Sequence, residues 1–499
     1  MVVKTNSVSF EEALNLTGFG KFNFLMQLLV FGLIMGMAFE IMSVAYLVPA
    51  SACELHTTSF EQGLMAGMPI LGIIATSHFW GYLADTRGRK KILTCCMSLG
   101  FLTGASAALS PDWIVFSVLK FLSSGAVSGT YALSLTLLSE CTPQRRRSIM
   151  IALTSSVYLG SAGLMAVISI PVLQMHFSYV IPYLNMEFTP WRLLNLVFTI
   201  PLALVAVGMY FSYESPRFLL SIGEEEKALK VLKGIYMMNT GNNGEDYNVS
   251  SVVFDEDKHK QTSGFWSSIV AQTVPLVKPP LLKNTLMLSV MFVIVYFGIN
   301  PFLTWLPYIA DGLMKAIERG DDNLSFCDML RSSHNETVTE NKDCSLNSVA
   351  MVIVFVISFI IATLNTILSS IINYIGRKRM LIGVQLFSGI AGLCITLTDS
   401  WVASTVLLVA FMTGVLNFGF LFTFSVDIFP TYVKAMSVCL TLMVGRGSSV
   451  FGINILKHLL VDDCELAFYI FGGLTFLGGI FGLLLPADKK IVTKKPTET

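Results

Sequence analysis

Gly81-Tyr-Leu-Ala-Asp85-Thr-Arg-Gly88-Arg89-Lys90 has a second, altered copy in the same chain, Ser369-Ser-Ile-Ile-Asn373-Tyr-Ile-Gly376-Arg377-Lys378, 288 residues later. Each string closes an apolar stretch with a glycine and then adjacent basic residues. A second pair keeps the distance. Glu140-Cys-Thr-Pro143 with Arg147 matches Asp427-Ile-Phe-Pro430 with Lys434 at an offset of 287; each has an acid, a proline three residues on, and a base four beyond that. Two offsets that agree to one residue mark an internal duplication. Parallel repeats related by an axis along the membrane normal fit this pattern.

The surrounding sequence suits a membrane. Of the 499 residues, 54% are hydrophobic and 13% charged, against about 25% charged in soluble domains. Most of the surface therefore does not meet water. A spanning helix needs roughly 20 mainly apolar residues. That predicts spans near Phe22–Val48, Phe60–Ala84, Ile92–Leu109, Trp113–Ser139, Ser148–Val172 and Trp191–Phe211, then Thr285–Ile309, Ser348–Tyr374, Met380–Leu397, Ala403–Asp427, Ala435–Lys457 and Leu466–Leu485. The expected fold is an all-α polytopic membrane protein with twelve transmembrane helices in two pseudo-symmetric six-helix lobes, 1–211 and 285–499, joined by a segment 212–284. Basic clusters follow the second, fourth, eighth, tenth and twelfth spans, so the positive-inside rule puts both termini and 212–284 in the cytosol. The segment Met1–Lys21 carries Glu11 and Glu12 and lacks a basic-then-apolar signal pattern, so no cleaved leader is expected.

Other classes are disfavoured. Net charge is zero, which leaves no basic footprint for nucleic acid. No nucleotide-cradling Gly-x-x-x-x-Gly-Lys-Ser/Thr string occurs, which argues against primary active transport. No ring of polar residues suggests a channel. Neither an enzyme nor a cofactor nor a metal is expected, and a monomer is the expected state.

The polar segments carry detail. Within 212–284, Glu224–Tyr236 reads as a short amphipathic helix with Ala228, Val231, Leu232 and Ile235 on one face. Asn239–Lys260, with Gly241 and Gly244, reads as a flexible linker. The loop 310–347 after the seventh span falls outside or in a lumen. It holds Cys327 and Cys344, a candidate disulfide in an oxidising space, with Cys53 and Cys464 on the same side as competitors. It also holds the glycosylation sequons at Asn335 and Asn323.

The Gly81-to-Lys90 string resembles the signature of the major facilitator superfamily. Glu140 with Pro143 and Arg147, Glu214-Ser-Pro-Arg217-Phe-Leu, and Trp191-Arg192 resemble its sugar-transporter and organic-ion-transporter branches. Tyr296-Phe-Gly-Ile-Asn-Pro-Phe-Leu-Thr-Trp305-Leu-Pro307, the Asp427-to-Lys434 turn and Gly445-Arg446-Gly447 are most similar to the synaptic vesicle glycoprotein 2 group. The chain departs from that pattern in three places. Asn373 stands where the family's eighth span has an acid, Lys120 stands where the fourth usually has Arg, and Met37-Ala38-Phe39-Glu40 keeps one of two acids. The Gln-rich seventh-span motif of sugar porters is missing, which argues against a hexose.

Charges inside spans are expensive and mark functional candidates. Glu40, Lys120 and Arg446 are the three that stand out. The resemblance implies that the first, fourth, seventh and tenth spans line a cavity, so Glu40 and Lys120 are expected to face it, paired or apart. Glu40 is a candidate contact for a cationic group or a proton carrier. Lys120 and Arg446 are candidates to hold a carboxylate or phosphate, Arg by a two-pronged fork. Tyr296 and Trp305 are candidate aromatic contacts, and Asn300, with Pro301, is a candidate break in the seventh span. Gly81, Asp85, Arg89, Glu140, Arg147, Glu214, Arg217, Asn373, Arg377, Asp427 and Lys434 form the candidate gate on the cytosolic face.

The function expected is alternating-access transport of a small organic ion, driven by a gradient and open to proton coupling, in the plasma membrane or an intracellular vesicle membrane. The competing expectation is a vesicle or surface interaction protein that keeps the carrier fold but transports little.

Overall fold

The computed structural model describes residues 7–182, 186–253, 270, 273–320, 324–336, 346–429 and 434–486. Among these, twelve helices are long and apolar enough to cross a membrane: Lys21–Ser51, Ser59–Arg87, Arg89–Leu109, Trp113–Glu140, Gln144–Leu173, Pro190–Phe211, Leu282–Glu318, Ser348–Ile372, Arg377–Leu397, Trp401–Phe422, Met436–Asp462 and Cys464–Gly482. They are called spans one to twelve. Both described chain ends lie on one side, the tail side; the opposite side is the far side.

The duplication is visible in the backbone. Span two stops at Arg87 and span three starts at Arg89, turning on Gly88 at φ 103, ψ 147. Helix Ser348–Ile375 stops and span nine starts on Gly376 at φ 96, ψ 142. Both turns use a left-handed φ that a Cβ disfavours. At Gly88 a Cβ would also come within 2.4 Å of a Glu214 carboxylate oxygen.

Spans one, four and ten each contain more than one helical segment, span four being Trp113–Val127 and Thr130–Glu140, whereas span seven, expected to break, is whole. Span one is two helices, Lys21–Met42 and Val44–Ser51, meeting at Ser43. Span ten passes through a tight turn at Thr413–Leu416. Span seven is not broken at Asn300–Pro301; it runs unbroken from Leu282 to Glu318. It therefore extends nine residues past the expected end at Ile309, because Asp311 and Lys315 pair across one turn at 2.8 Å and Leu313 and Ala316 remain buried. The 310–347 region also contains a helix, Phe326–Glu336, so it is a loop only in part.

The described part of the expected linker, 239–253, is ordered. Helix Glu225–Thr240 ends on left-handed Gly241, and strand Ser251–Val253 pairs in parallel with strand Ser7–Ser9. Phe10, Leu14, Leu220, Leu232, Tyr247 and Val252 share one small core, and the Tyr247 hydroxyl donates to the Ala13 carbonyl at 2.8 Å. The N-terminal segment and the inter-lobe segment thus fold together as a tail-side mini-domain. Residues 254–269 lie outside the described set.

Candidate functional site

Glu40 and Lys120 bond to each other inside the first lobe. Lys120 Nζ sits 2.9 Å from Glu40 Oε1, with both side chains 0% exposed. Ser43 fixes the pair by accepting from Lys120 Nζ at 3.0 Å while donating to the Glu40 carbonyl at 2.8 Å. Gly104 of span three and Thr199 of span six press on the other side: a Cβ at 104 would meet Glu40 Oε2 at 2.7 Å and Thr199 at 3.0 Å. The pair therefore belongs to the packing between spans one, three, four and six, and does not face the second lobe. The local reason is spacing: Ser43 lies one turn after Glu40 on span one, so its hydroxyl and the Glu40 carboxylate both reach the Lys120 ammonium.

A different group gathers at the seam between the lobes. Tyr131 of span four and Tyr158 of span five meet edge-on, with ring centroids 5.9 Å apart. Tyr296 of span seven stacks on Phe418 of span ten at 4.4 Å. Tyr296 lies within electrostatic range of both N-lobe tyrosines, and Arg446 of span eleven within range of Tyr158. Each of these five side chains is half-buried. Among the described residues, Arg446 has no carboxylate within ion-pair distance. Gly445 brings this turn of span eleven against span seven, since a Cβ there would meet Phe292 and Tyr296 at 2.9 Å. The result is one uncompensated guanidinium among aromatic rings contributed by both lobes. Asn300 is half-buried one turn beyond Tyr296 on the same helix. Trp305 is fully buried between spans seven and eleven, its indole N–H donated to the Ile453 carbonyl at 3.0 Å. An apolar recess lined by Leu306, Leu313, Ile353, Ile357 and Trp401 opens elsewhere in the second lobe; with no charged group, it cannot orient an ion.

On the tail side, the charged motif is a network within the first lobe. Arg89 reaches Asp85 across the Gly88 turn and Glu140 at the end of span four, each at 3.4 Å, and its guanidinium lies over Phe218 at 5.0 Å. Glu214 accepts the Lys90 backbone N–H at 3.0 Å. The Ser215 hydroxyl donates to Glu140, and Arg217 is in electrostatic range of that carboxylate. Arg147 pairs with Glu11 of the mini-domain at 3.0 Å and takes no part in the Asp85–Arg89–Glu140 cluster. A Cβ at Gly81 would meet nothing within 4 Å, and the Asp85 side chain is 75% exposed. In the second lobe, Arg377 opens span nine. The side chains of Asn373, Asp427 and Lys434 lie outside the described residues.

On the far side, the candidate disulfide needs correction. Cys327 is bonded to Cys464, with Cα atoms 5.6 Å apart, not to Cys344. Helix Phe326–Glu336 seats Phe326 against Phe468 of span twelve at 5.7 Å, and Arg331 reaches Glu465 at 3.2 Å, which carries Cys327 to the start of that span. Cys53 is also disulfide-bonded. Cys344 and Asn323 lie outside the described residues, as does the side chain of Asn335.

Sequence reasoning missed Lys457. The expected span eleven, Ala435–Lys457, ends on this residue and so places it at a helix terminus. The span continues to Asp462, and Lys457 is 2% exposed, its Nζ 3.3 Å from the Tyr308 ring centroid and 4.8 Å from that of Trp305. The apolar run on past His458, Leu459-Leu460-Val461, was the available signal.

A profile of the Major Facilitator Superfamily matches residues 28–315. The chain is 24% identical to the Caenorhabditis elegans protein svop-1, named as a transporter, over 96% of its own length and 85% of the relative's. It is 32% identical to the mouse protein SVOPL, also named as a transporter, over 47% of this chain and 45% of that one. Synaptic vesicle glycoprotein 2C of mouse matches at 26% over 49% of this chain and 33% of that protein, so these two mammalian matches span less than half of the relatives' lengths. Among solved structures, the inward open conformation of the xylose transporter XylE from E. coli superposes with a TM-score of 0.67 at 16% identity, covering 94% of this chain and 98% of that one.

Proposed function

The chain belongs to the major facilitator superfamily, and from that premise we propose that it carries a small organic anion across a membrane by alternating access. The observation that carries this reading is the unequal fate of the three intramembrane charges. Glu40 and Lys120 cancel each other within one lobe, which leaves Arg446 as the seam charge without an acid among the described residues. A guanidinium offers a planar fork for a carboxylate or phosphate, and Tyr131, Tyr158, Tyr296 and Phe418 supply ring faces for an apolar body. Binding at such a point draws both lobes onto one ligand, which is what a rocking carrier needs.

Glu40 is committed to Lys120, so no proton step is assigned to it, and the driving force is the gradient of the solute. The tail-side charges pair within one lobe, while the far half of span two packs against span eleven through Gly63 on Asn454 and Gly67 on Val450. This arrangement supports a state closed on the far side and open toward the tails. Basic clusters support a cytosolic tail side. The disulfide supports an oxidising far side, and the likeness to a protein named for synaptic vesicles favours a vesicle membrane.

Uptake of a panel of aromatic carboxylates, organic phosphates and amines into proteoliposomes tests the reading. At least one anion should be taken up, Arg446→Ala should abolish that uptake, and Arg446→Lys should keep a fraction of it. Uptake of amines alone, or anion uptake indifferent to Arg446→Ala, overturns it. A fixed interaction protein would take up none of the panel and would never expose seam positions to both sides.

A further inference from the structure

Lys457 and Arg446 share one face of span eleven. Eleven residues make three turns with about 20° left over, so the two cations stand in line about 16 Å apart along the helix. Arg446 sits near the middle of the span and Lys457 near its far end. Lys457 is buried without a carboxylate partner among the described residues. Asp311, one turn beyond Tyr308, is already committed to Lys315 at 2.8 Å and to the Asn347 backbone N–H at 2.6 Å. What Lys457 has instead is two ring faces. Ring contacts return only part of what a buried ion loses on leaving water. The ammonium is therefore held where an anion would stabilise it more than its present neighbours do.

Its surroundings are the far-side closure. Asn454, one turn nearer the tails, has an Oδ1 with no hydrogen-bond donor, and that atom faces Gly63 of span two so closely that a Cβ there would stand 2.4 Å away. Gly67 receives Val450 in the same way. The Gly63-Leu-Met-Ala-Gly67 stretch is a small-x-x-x-small face of the kind that lets helices approach closely. It packs one lobe on the other, as Gly163 of span five on Phe355 of span eight also does, so it is one of the contacts that must part when the lobes rock.

We propose that Lys457 is a second anion station on the substrate path, occluded in the present state and exposed when span two leaves span eleven, where it takes the carboxylate or phosphate that Arg446 holds at mid-membrane. The proposal rests on the anion reading above. An anion leaving Arg446 then meets a second positive charge before the far-side water, with Trp305 and Tyr308 walling the site.

The test places a reporter thiol beside the lysine. Asn454→Cys protein, with the native free cysteines replaced, is reconstituted and treated from the far side with an anionic (2-sulfonatoethyl) and a cationic (2-trimethylammonioethyl) methanethiosulfonate. With Lys457 present, the anionic reagent should react faster relative to the cationic one by about tenfold, in line with the pull of one charge in a narrow cleft. Lys457→Gln should remove that preference, and benzoate should slow the reaction only where Lys457 is present. A rate ratio untouched by Lys457→Gln overturns the proposal, and so does a thiol that never reacts from the far side, because Lys457 would then be ring-packed glue. The two readings fail separately: Arg446→Ala tests the mid-membrane site by uptake, whereas the thiol ratio reads the far-side field with Arg446 intact.

Discussion

The two lobes descend from one repeat, yet they treat internal charge in opposite ways. In the first lobe, the buried cation has its anion: Lys120 meets Glu40, and Arg192, 1% exposed, meets Glu54 at 2.7 Å while also donating to the Ala108 and Ser110 carbonyls. In the second lobe, Arg446 and Lys457 have no acid among the described residues, and the buried polar contacts between spans nine and ten are neutral, Asn417 donating to Gln385 and the Ser388 hydroxyl to the Phe411 carbonyl. A lobe with cancelled charges is a rigid frame. A lobe with uncancelled cations has something to offer an anion. Where a repeat has diverged, the half that stayed electrically incomplete is the half expected to bind.

The sharpest way to break this comparison is to uncancel the first lobe. Glu40→Gln leaves Lys120 buried and unpaired, which should destabilise the protein by about 3–5 kcal/mol. The double variant Glu40→Gln/Lys120→Met should recover most of that, as read by thermal unfolding in detergent. If Glu40→Gln unfolds like wild type, the pair is not what holds spans one and four, and the contrast between the lobes loses its structural half.

The second lobe's far end is closed covalently. Cys464→Ser releases the helix after span seven from span twelve, and the loss expected is about 2–4 kcal/mol. Wild-type protein treated with reductant should shift in the same direction, though Cys53 also responds. A Cys464→Ser protein as stable as wild type would mean that Arg331–Glu465 and the Phe326–Phe468 contact suffice to seat that helix.

Arg446→Met and Lys457→Met should behave in the opposite way to Glu40→Gln. Removing an unpaired charge, half-buried at 446 and buried at 457, gives back whatever desolvation penalty it carries, so unfolding temperature should stay level or rise while anion handling falls. Equal destabilisation in both lobes would show that the second-lobe cations are structural after all.

Much of this was legible in the sequence. The repeat offset gave two lobes, and hydropathy gave twelve spans, because apolar length is a one-dimensional property. Partnering was not legible. Glu40 reads as a cavity acid in sequence because its partner, Lys120, lies 80 residues away and nothing local announces that the two meet. The Cys327 pairing depended on how helix Phe326–Glu336 lies on span twelve, a contact between segments more than a hundred residues apart. Lys457 was hidden by a span boundary drawn five residues early, which turned a buried cation into an ordinary helix end. Tail order escaped because strand Ser7–Ser9 and strand Ser251–Val253 each carry too few apolar residues to read as structure alone.

That tail-side mini-domain gives the smallest effect and a clean control. Among the described residues, an ion pair ties it to a span: Glu11 with Arg147, whose side chains are 41% and 23% exposed, so water and salt screen it. Glu11→Gln should change stability by less than about 1 kcal/mol. The difference should vanish near 1 M salt, where the Debye length falls to about 3 Å. By contrast, Leu232 and Phe10 are buried in the mini-domain core, and truncating either should free the N-terminal segment to proteolysis at any salt concentration. If Glu11→Gln alone frees the segment, charge rather than packing holds it to span five. The first lobe would then depend on an exposed ion pair as well as on its buried ones, and the rigid frame would have a salt-sensitive joint.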